Sequence, residues 1–227
     1  MTWQQQWRNY TWVQWGIVGV LVYFFGVMAP QLTGQLVILI GSVVIHEMAH
    51  GYMATWCGDP TPGQYGRLTP NPIAHMDLLG SVLLPVILTM SGSPFLFGWA
   101  KPVPVAYHRL QDPPNDAVKV ALAGPLSNLM IAGLLSGLGR YGLWDTMLGP
   151  WLQYGIIINT ILAVFNMIPI PPMDGSRVLY RVLPAEGRRM MDAIEPYGMW
   201  IIVGIAILNG FDPILRYIGR PIIRFFL

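Results

Sequence analysis

Five stretches of this sequence run for about 20 residues with few charges, the length an α-helix needs to cross the hydrocarbon of a bilayer. They lie at Trp12–Ala29, Leu32–Cys57, Ala117–Leu138, Trp151–Ile168 and Tyr197–Leu215. A sixth, Leu78–Trp99, is interrupted by Pro85, Ser91, Gly92, Ser93 and Pro94, and either crosses or enters and returns. Because hydrocarbon offers backbone groups no water, such stretches must close their hydrogen bonds internally as helices. The expected fold is therefore an all-α membrane protein, a polytopic helical bundle of five or six segments, formed as one domain over residues 1–227 with its core at 32–175. Composition agrees: 54% of the 227 residues are hydrophobic and 11% charged, more apolar than a soluble core of this size requires. A net charge of +2, with no basic run interleaved with aromatics, argues against a nucleic-acid partner.

The N-terminus lacks a basic start, a short apolar core and a small-residue cleavage site, so the first apolar stretch is expected to be retained. Trp3, Trp7, Trp12 and Trp15 suit an interfacial aromatic belt. Cys57 has no partner for an internal disulfide and reads as a buried thiol. Residues 58–76 are rich in turn formers around a short strand expected at Gln64–Thr69, part of a short β-hairpin whose exposed edge could accept an added strand. Residues 100–116 are spaced by prolines, and Arg177–Glu195 alternates charged and apolar residues as a surface helix would.

Inside the second stretch stands HEMAH, residues 46 to 50. Residues four apart on a helix share a face, so His46 and His50 present two imidazoles to one metal, with Glu47 beside them able to take a proton from water. With four histidines and three glutamates in the chain, this pattern arises by chance in about one such chain per thousand. Core histidines hydrogen-bonded within a bundle are the bland alternative, but ionisable groups in a span are costly and mark function.

A catalytic zinc takes three protein ligands and leaves a position for water. Asp59, His75, Asp77, His108 and Asp174 are the candidates for the third, the first four in segments expected to face water. Asp174 closes Asn166–Gly175, NMIPIPPMDG, where prolines break an apolar span and bring a carboxylate near the bundle interior. It would also serve as a cap for the helix that follows.

HEMAH in an apolar span, AGPLSN at Ala123–Asn128 and NMIPIPPMDG together resemble the site-2 protease family of intramembrane zinc metalloproteases. GRLTPNPIAHMD at Gly66–Asp77 and FGWAKPVPV at Phe97–Val105 resemble its short prokaryotic branch, which has no PDZ domain. The resemblance implies one zinc per chain held by His46, His50 and Asp174, Glu47 as the catalytic base, and substrates that are transmembrane segments of other proteins, with a homo-oligomer compatible with it. Asn166 matches an asparagine assigned to substrate or transition-state binding, and Asn128 is a weaker candidate for the same work beside a helix-packing role. Met173 stands where the family often has leucine, a change of little volume.

HEMAH lies past the middle of its span and Asp174 at the end of its own, so the two meet at one depth most simply if both spans run the same way. Leu78–Trp99 then makes no net crossing. Five crossings from a cytoplasmic N-terminus leave nine basic residues inside and four (Arg140, Arg216, Arg220, Arg224) outside, whereas six crossings give six and seven. This places the active site toward the cytoplasmic side, and the resemblance to the short prokaryotic branch implies that the membrane is that of a prokaryotic cell. Two rivals are an ion-binding transporter using the same His and Asp, which has no need of Glu47, and a silent homologue, which would have lost one of the four residues.

Overall fold

The computed structural model describes residues 30–83, 98–208 and 210–227, together with Gly16, Gly19 and Tyr23. The Trp12–Ala29 stretch apart from those three residues, its tryptophan belt, and the interior of Leu78–Trp99 therefore fall outside the described residues. What is described is mostly helical, with no strand.

Three long helices organise it: α1 (Pro30–Trp56), α2 (Pro113–Leu138) and α3 (Gly149–Asn166). Proline opens α2 and α3 in the first turn, where its fixed φ suits the helix and its missing N–H costs nothing. A wider turn at Gly139–Leu143 extends α2, and Gly142 ends it at φ 108°, a conformation that glycine alone adopts cheaply. α1 and the extended α2 are long and apolar enough to cross a membrane.

α2 is the hub. Gly155 of α3 packs against Leu135 of α2 and Ile38 of α1 at one end of the bundle. At the other end Ala54 and Cys57, at the close of α1, meet Val120 near the start of α2, with Leu110. The helices α1 and α3 therefore run in the same direction and α2 runs against both. The Gln111 N–H donates to the Cys57 carbonyl at 2.9 Å, so the connection between α1 and α2 ends where it began. Polar residues share the apolar interior: Ser42, Asn128, Asn159 and Thr160 are buried between the helices, while Leu126, Met130, Leu134 and Leu138 form an exposed stripe along α2. Such a stripe suits lipid.

Three expectations are corrected. Gln64–Thr69 is no strand: Thr61–Gln64 forms one helical turn, Gly66 follows at φ 64°, and Arg67 donates to the Ala74 carbonyl. Prolines 60 and 62 favour a helix start, and the Asp59 carboxylate accepts from the Thr61 N–H at 3.0 Å, which closes that turn. Arg177–Glu195 is two short helices, α4 (Asp174–Val182) and α5 (Ala185–Ile194), divided at Pro184. Tyr197–Leu215 is not one continuous helix: α6 (Gly198–Ile207) is about 15 Å long against a hydrocarbon of about 30 Å. After it the Gly210 N–H turns back to Ile205 O, and Pro213 starts a new turn. A last helix, α7 (Arg220–Phe226), returns to α2, where Ser136 and Arg140 donate to the Phe226 and Phe225 carbonyls.

Candidate metal centre

His46 and His50 lie one turn apart on α1 and face α2, 6% and 8% exposed. Their rings meet edge to face with centroids 4.6 Å apart. Small residues make this possible: a methyl on Gly124 of α2 would collide with Nε2 of both rings. One residue later Pro125 leaves the Ala121 carbonyl without its helical N–H. In the same turn the Val120 carbonyl accepts from His50 Nδ1 at 2.7 Å.

Asp174 arrives from the far side. Phe165–Met173 leaves α3 in tight turns, Ile170 N–H to Ile168 O and Met173 N–H to Ile170 O, both 2.9 Å, and α4 then begins at Asp174. Gly175 sits against the Met167 and Ile168 carbonyls, where any Cβ would clash, so α4 can start close against the end of α3. Asp174 does not cap α4. Its Oδ2 is buried without a hydrogen bond and lies 3.3 Å from Nε2 of each histidine.

This donor set fits zinc. His46 Nδ1 lies 2.6 Å from Asn128 Oδ1, and His50 Nδ1 lies 2.7 Å from the Val120 carbonyl. Both partners only accept, so each ring carries its hydrogen on Nδ1 and turns a lone pair from Nε2 inward. The two Nε2 atoms are 3.0 Å apart, so with Asp174 Oδ2 three lone pairs converge on one space. Without a cation they repel. Ligands about 2.0 to 2.1 Å from a tetrahedral zinc stand about 3.3 Å from one another, close to the 3.0, 3.3 and 3.3 Å seen here. Among the described residues this is the one cluster of three that could hold a metal. The other candidates are spent elsewhere: Asp59 on the Thr61 and Ala106 N–H groups, His75 on Thr69 O, Asp77 on the Gly80 N–H, and His108 is exposed.

Glu47 lines the same cleft, of about 620 Å³, with Trp99, Val103, Leu162, Asn166 and Arg177. Its Oε2 accepts from the Val103 N–H at 2.9 Å, a donor in the extended segment 100–106. Two further bonds tie that segment down, Lys101 N–H to His75 O at 2.8 Å and Ala106 N–H to Asp59 Oδ2 at 2.7 Å. Asp59 is fully buried. Burial pushes its carboxyl up, but bonds from Thr61 and from the Ala106 N–H, with Arg109 nearby, hold it below the ordinary carboxylate range. At the mouth, Arg177 pairs with Glu195 and stacks 5.3 Å over the Tyr107 ring.

The structure thus brings His46, Glu47, His50, Asp174 and Asn166 to one cleft. Asn166 donates to the Leu162 carbonyl of its own helix at 2.9 Å and keeps a second N–H for the cleft. Asn128 does not reach the cleft: it is fully buried behind His46. Gly124 and Val103 were not singled out as site residues in the sequence, and Asp59 entered only as a candidate metal ligand, not as the acceptor that holds the Ala106 N–H. A main-chain donor leaves no side-chain trace there, and only the small residues of AGPLSN hinted at Gly124.

Residues 141–209, which include Asn166 and Asp174, match peptidase family M50. Three relatives bear the name "Putative zinc metalloprotease". YwhC of Bacillus subtilis is 35% identical over 195 residues, 82% of this chain and 84% of that protein. Rip2 of Mycolicibacterium smegmatis is 29% identical over 187 residues, 81% of this chain and 69% of that protein. MJ0611 of Methanocaldococcus jannaschii is 35% identical over 97 residues, 42% of this chain and 43% of that protein. No solved structure matches the chain.

Proposed function

Since the chain belongs to peptidase family M50, the site-2 protease family, we propose that it is a zinc endopeptidase that cuts other proteins in or near their transmembrane segments. The observation that carries this reading is the convergence of His46 Nε2, His50 Nε2 and Asp174 Oδ2 within 3.0 to 3.3 Å of one another, with Glu47 in the same cleft.

His46, His50 and Asp174 would hold one zinc. Bound there, it supplies Lewis acidity toward water and the scissile carbonyl. Glu47 takes the proton of the attacking water and returns it to the leaving amine. The Val103 N–H fixes one of its oxygens, and Oε1 has no partner among the described residues. Asn166 donates its remaining N–H to the carbonyl oxygen as charge develops. A substrate helix hides its carbonyls, so the segment must unwind to enter the cleft.

The same reading places the protein in a prokaryotic cell membrane as a multi-pass protein with its site toward the cytoplasm, serving regulated intramembrane proteolysis. Two contacts support a Leu78–Trp99 segment that enters and returns. The Trp99 N–H donates to the Gly80 carbonyl at 3.2 Å and Ser81 Oγ donates to the Trp99 carbonyl at 2.8 Å, so the flanks of 84–97 lie side by side. The Cys57–Gln111 bond and the shared direction of α1 and α3 argue the same way.

The test is Glu47→Gln in proteoliposomes carrying a transmembrane test substrate. The expected result is loss of cleavage with zinc retained. Undiminished cleavage would contradict the proposed chemistry.

A further inference from the structure

The two histidines fix their Nδ1 hydrogens by different means. His50 uses the Val120 carbonyl, which can only accept. His46 uses Asn128, a side-chain amide that could present either end. What turns that amide lies deeper in the bundle, in two residues outside the cleft.

Asn159 of α3 is fully buried, and its Nδ2 donates to the Gly155 carbonyl at 2.8 Å and to Ser42 Oγ at 2.9 Å. Ser42 in turn donates to the Ile38 carbonyl at 2.8 Å, so its oxygen is left to accept from Asn159. With its N–H groups committed, Asn159 offers Oδ1 to Asn128 Nδ2 at 2.8 Å. Asn128 Nδ2 has a second acceptor in the Ser42 carbonyl at 3.4 Å. Its Oδ1 is therefore the end that meets His46, 2.6 Å from Nδ1. Each step follows from the one before, and the chain starts at helix carbonyls that cannot change their polarity.

We infer that Asn159 and Ser42 are positioning residues for His46: acting through Asn128, they put the His46 hydrogen on Nδ1 and leave Nε2 bare for the metal. The inference rests on reading His46 as a metal ligand. If Asn128 turned over, its NH₂ would face Nδ1, the hydrogen would move to Nε2, and that nitrogen could no longer coordinate. Three helices each give one residue, Ser42 from α1, Asn128 from α2 and Asn159 from α3, so the ligand is tied to the packing of the bundle.

Helix packing alone would also account for buried amides between helices, so the experiment separates the two roles. Zinc affinity is measured by chelator competition on the full chain in detergent, for Asn159→Leu in the wild-type background and in an Asn128→Asp background. A carboxylate has an acceptor at each end and needs nothing to orient it. Asn159→Leu is expected to weaken zinc binding by about tenfold or more in the wild-type background and to have little effect beside Asn128→Asp. Equal weakening in both backgrounds, or none in the wild type, would overturn the relay. Should Asn159→Leu fail to fold, the comparison becomes Asn128→Leu against Asn128→Asp: loss of zinc affinity with the first and recovery with the second supports the relay, and no loss with the first overturns it. A wild-type chain that binds no zinc would overturn the metal reading and the relay with it.

Discussion

The back and the front of the cleft are held by different means. At the back, α1 and α2 present His46, His50 and Gly124 on rigid helices, and every ligand contact runs from side chain to side chain or to a helix carbonyl. At the front, Glu47 is met by one main-chain N–H in an extended segment, which is itself tied down by His75 and by the buried Asp59. The back, together with Asp174 from α4, decides whether a metal binds. The front decides whether the bound metal has a correctly placed base. Damage to one half should therefore leave the function of the other measurable.

The largest effect belongs to the back. Gly124→Ala pushes a methyl into both Nε2 atoms and is expected to lower zinc affinity by about 100-fold or more, read by chelator competition. Gly137→Ala on the same helix meets nothing within 4 Å and should bind zinc as the wild type does. Equal behaviour of the two would break the distinction.

Next comes the front. Asp59→Ala strips the acceptor from the Thr61 and Ala106 N–H groups, at a local cost of about 1–3 kcal/mol for each donor left unpaired. Zinc affinity should hold while cleavage falls by about tenfold as the Val103 N–H loses its place on Glu47. Loss of zinc instead would show that front and back are one unit.

A smaller effect follows from pH. The Asp59 carboxyl is held below its ordinary value, so its contribution is fully present above the unfolded value of about 3.9 and is lost as pH falls through the lower folded value. Hydrogen-exchange protection of the Ala106 N–H should therefore stay level from neutral pH down to about 4 and fail only below it. Asp59→Asn should flatten that dependence. Smallest of all, Glu195→Gln weakens a partly exposed ion pair with Arg177 and should change stability by less than about 1 kcal/mol in thermal unfolding.

The same division explains what the sequence revealed. The back was legible because helical periodicity carries it: four-residue spacing sets His46 above His50, and apolar length gave α1, α2 and α3 nearly to their ends. Asp174 was legible as one carboxylate at a proline-broken helix end among several candidates, and the family resemblance singled it out. Asn128 stood between a substrate role and helix packing, and it is buried behind His46, since a polar residue in a span declares itself buried without saying what it faces. The front was mostly hidden. Val103 contributes only its N–H, and Asp59 was one candidate ligand among several in water-facing segments, with nothing in the sequence to mark the Ala106 N–H as its partner. Gln64–Thr69 was expected as a short strand among turn formers, but the Asp59 and proline start of the turn before it prevailed. Tyr197–Leu215 had the apolar content of a span, yet Gly210 and Pro213 divide it.

The central claim is that two imidazoles and one carboxylate hold a single zinc, and zinc content together with X-ray absorption at the zinc edge tests it most directly. Wild-type protein should carry one zinc per chain with two histidine nitrogens and at least one oxygen in its coordination shell, and Asp174→Ala should lose it. Zinc retained at full stoichiometry after Asp174→Ala, or a shell without two histidines, would contradict the account.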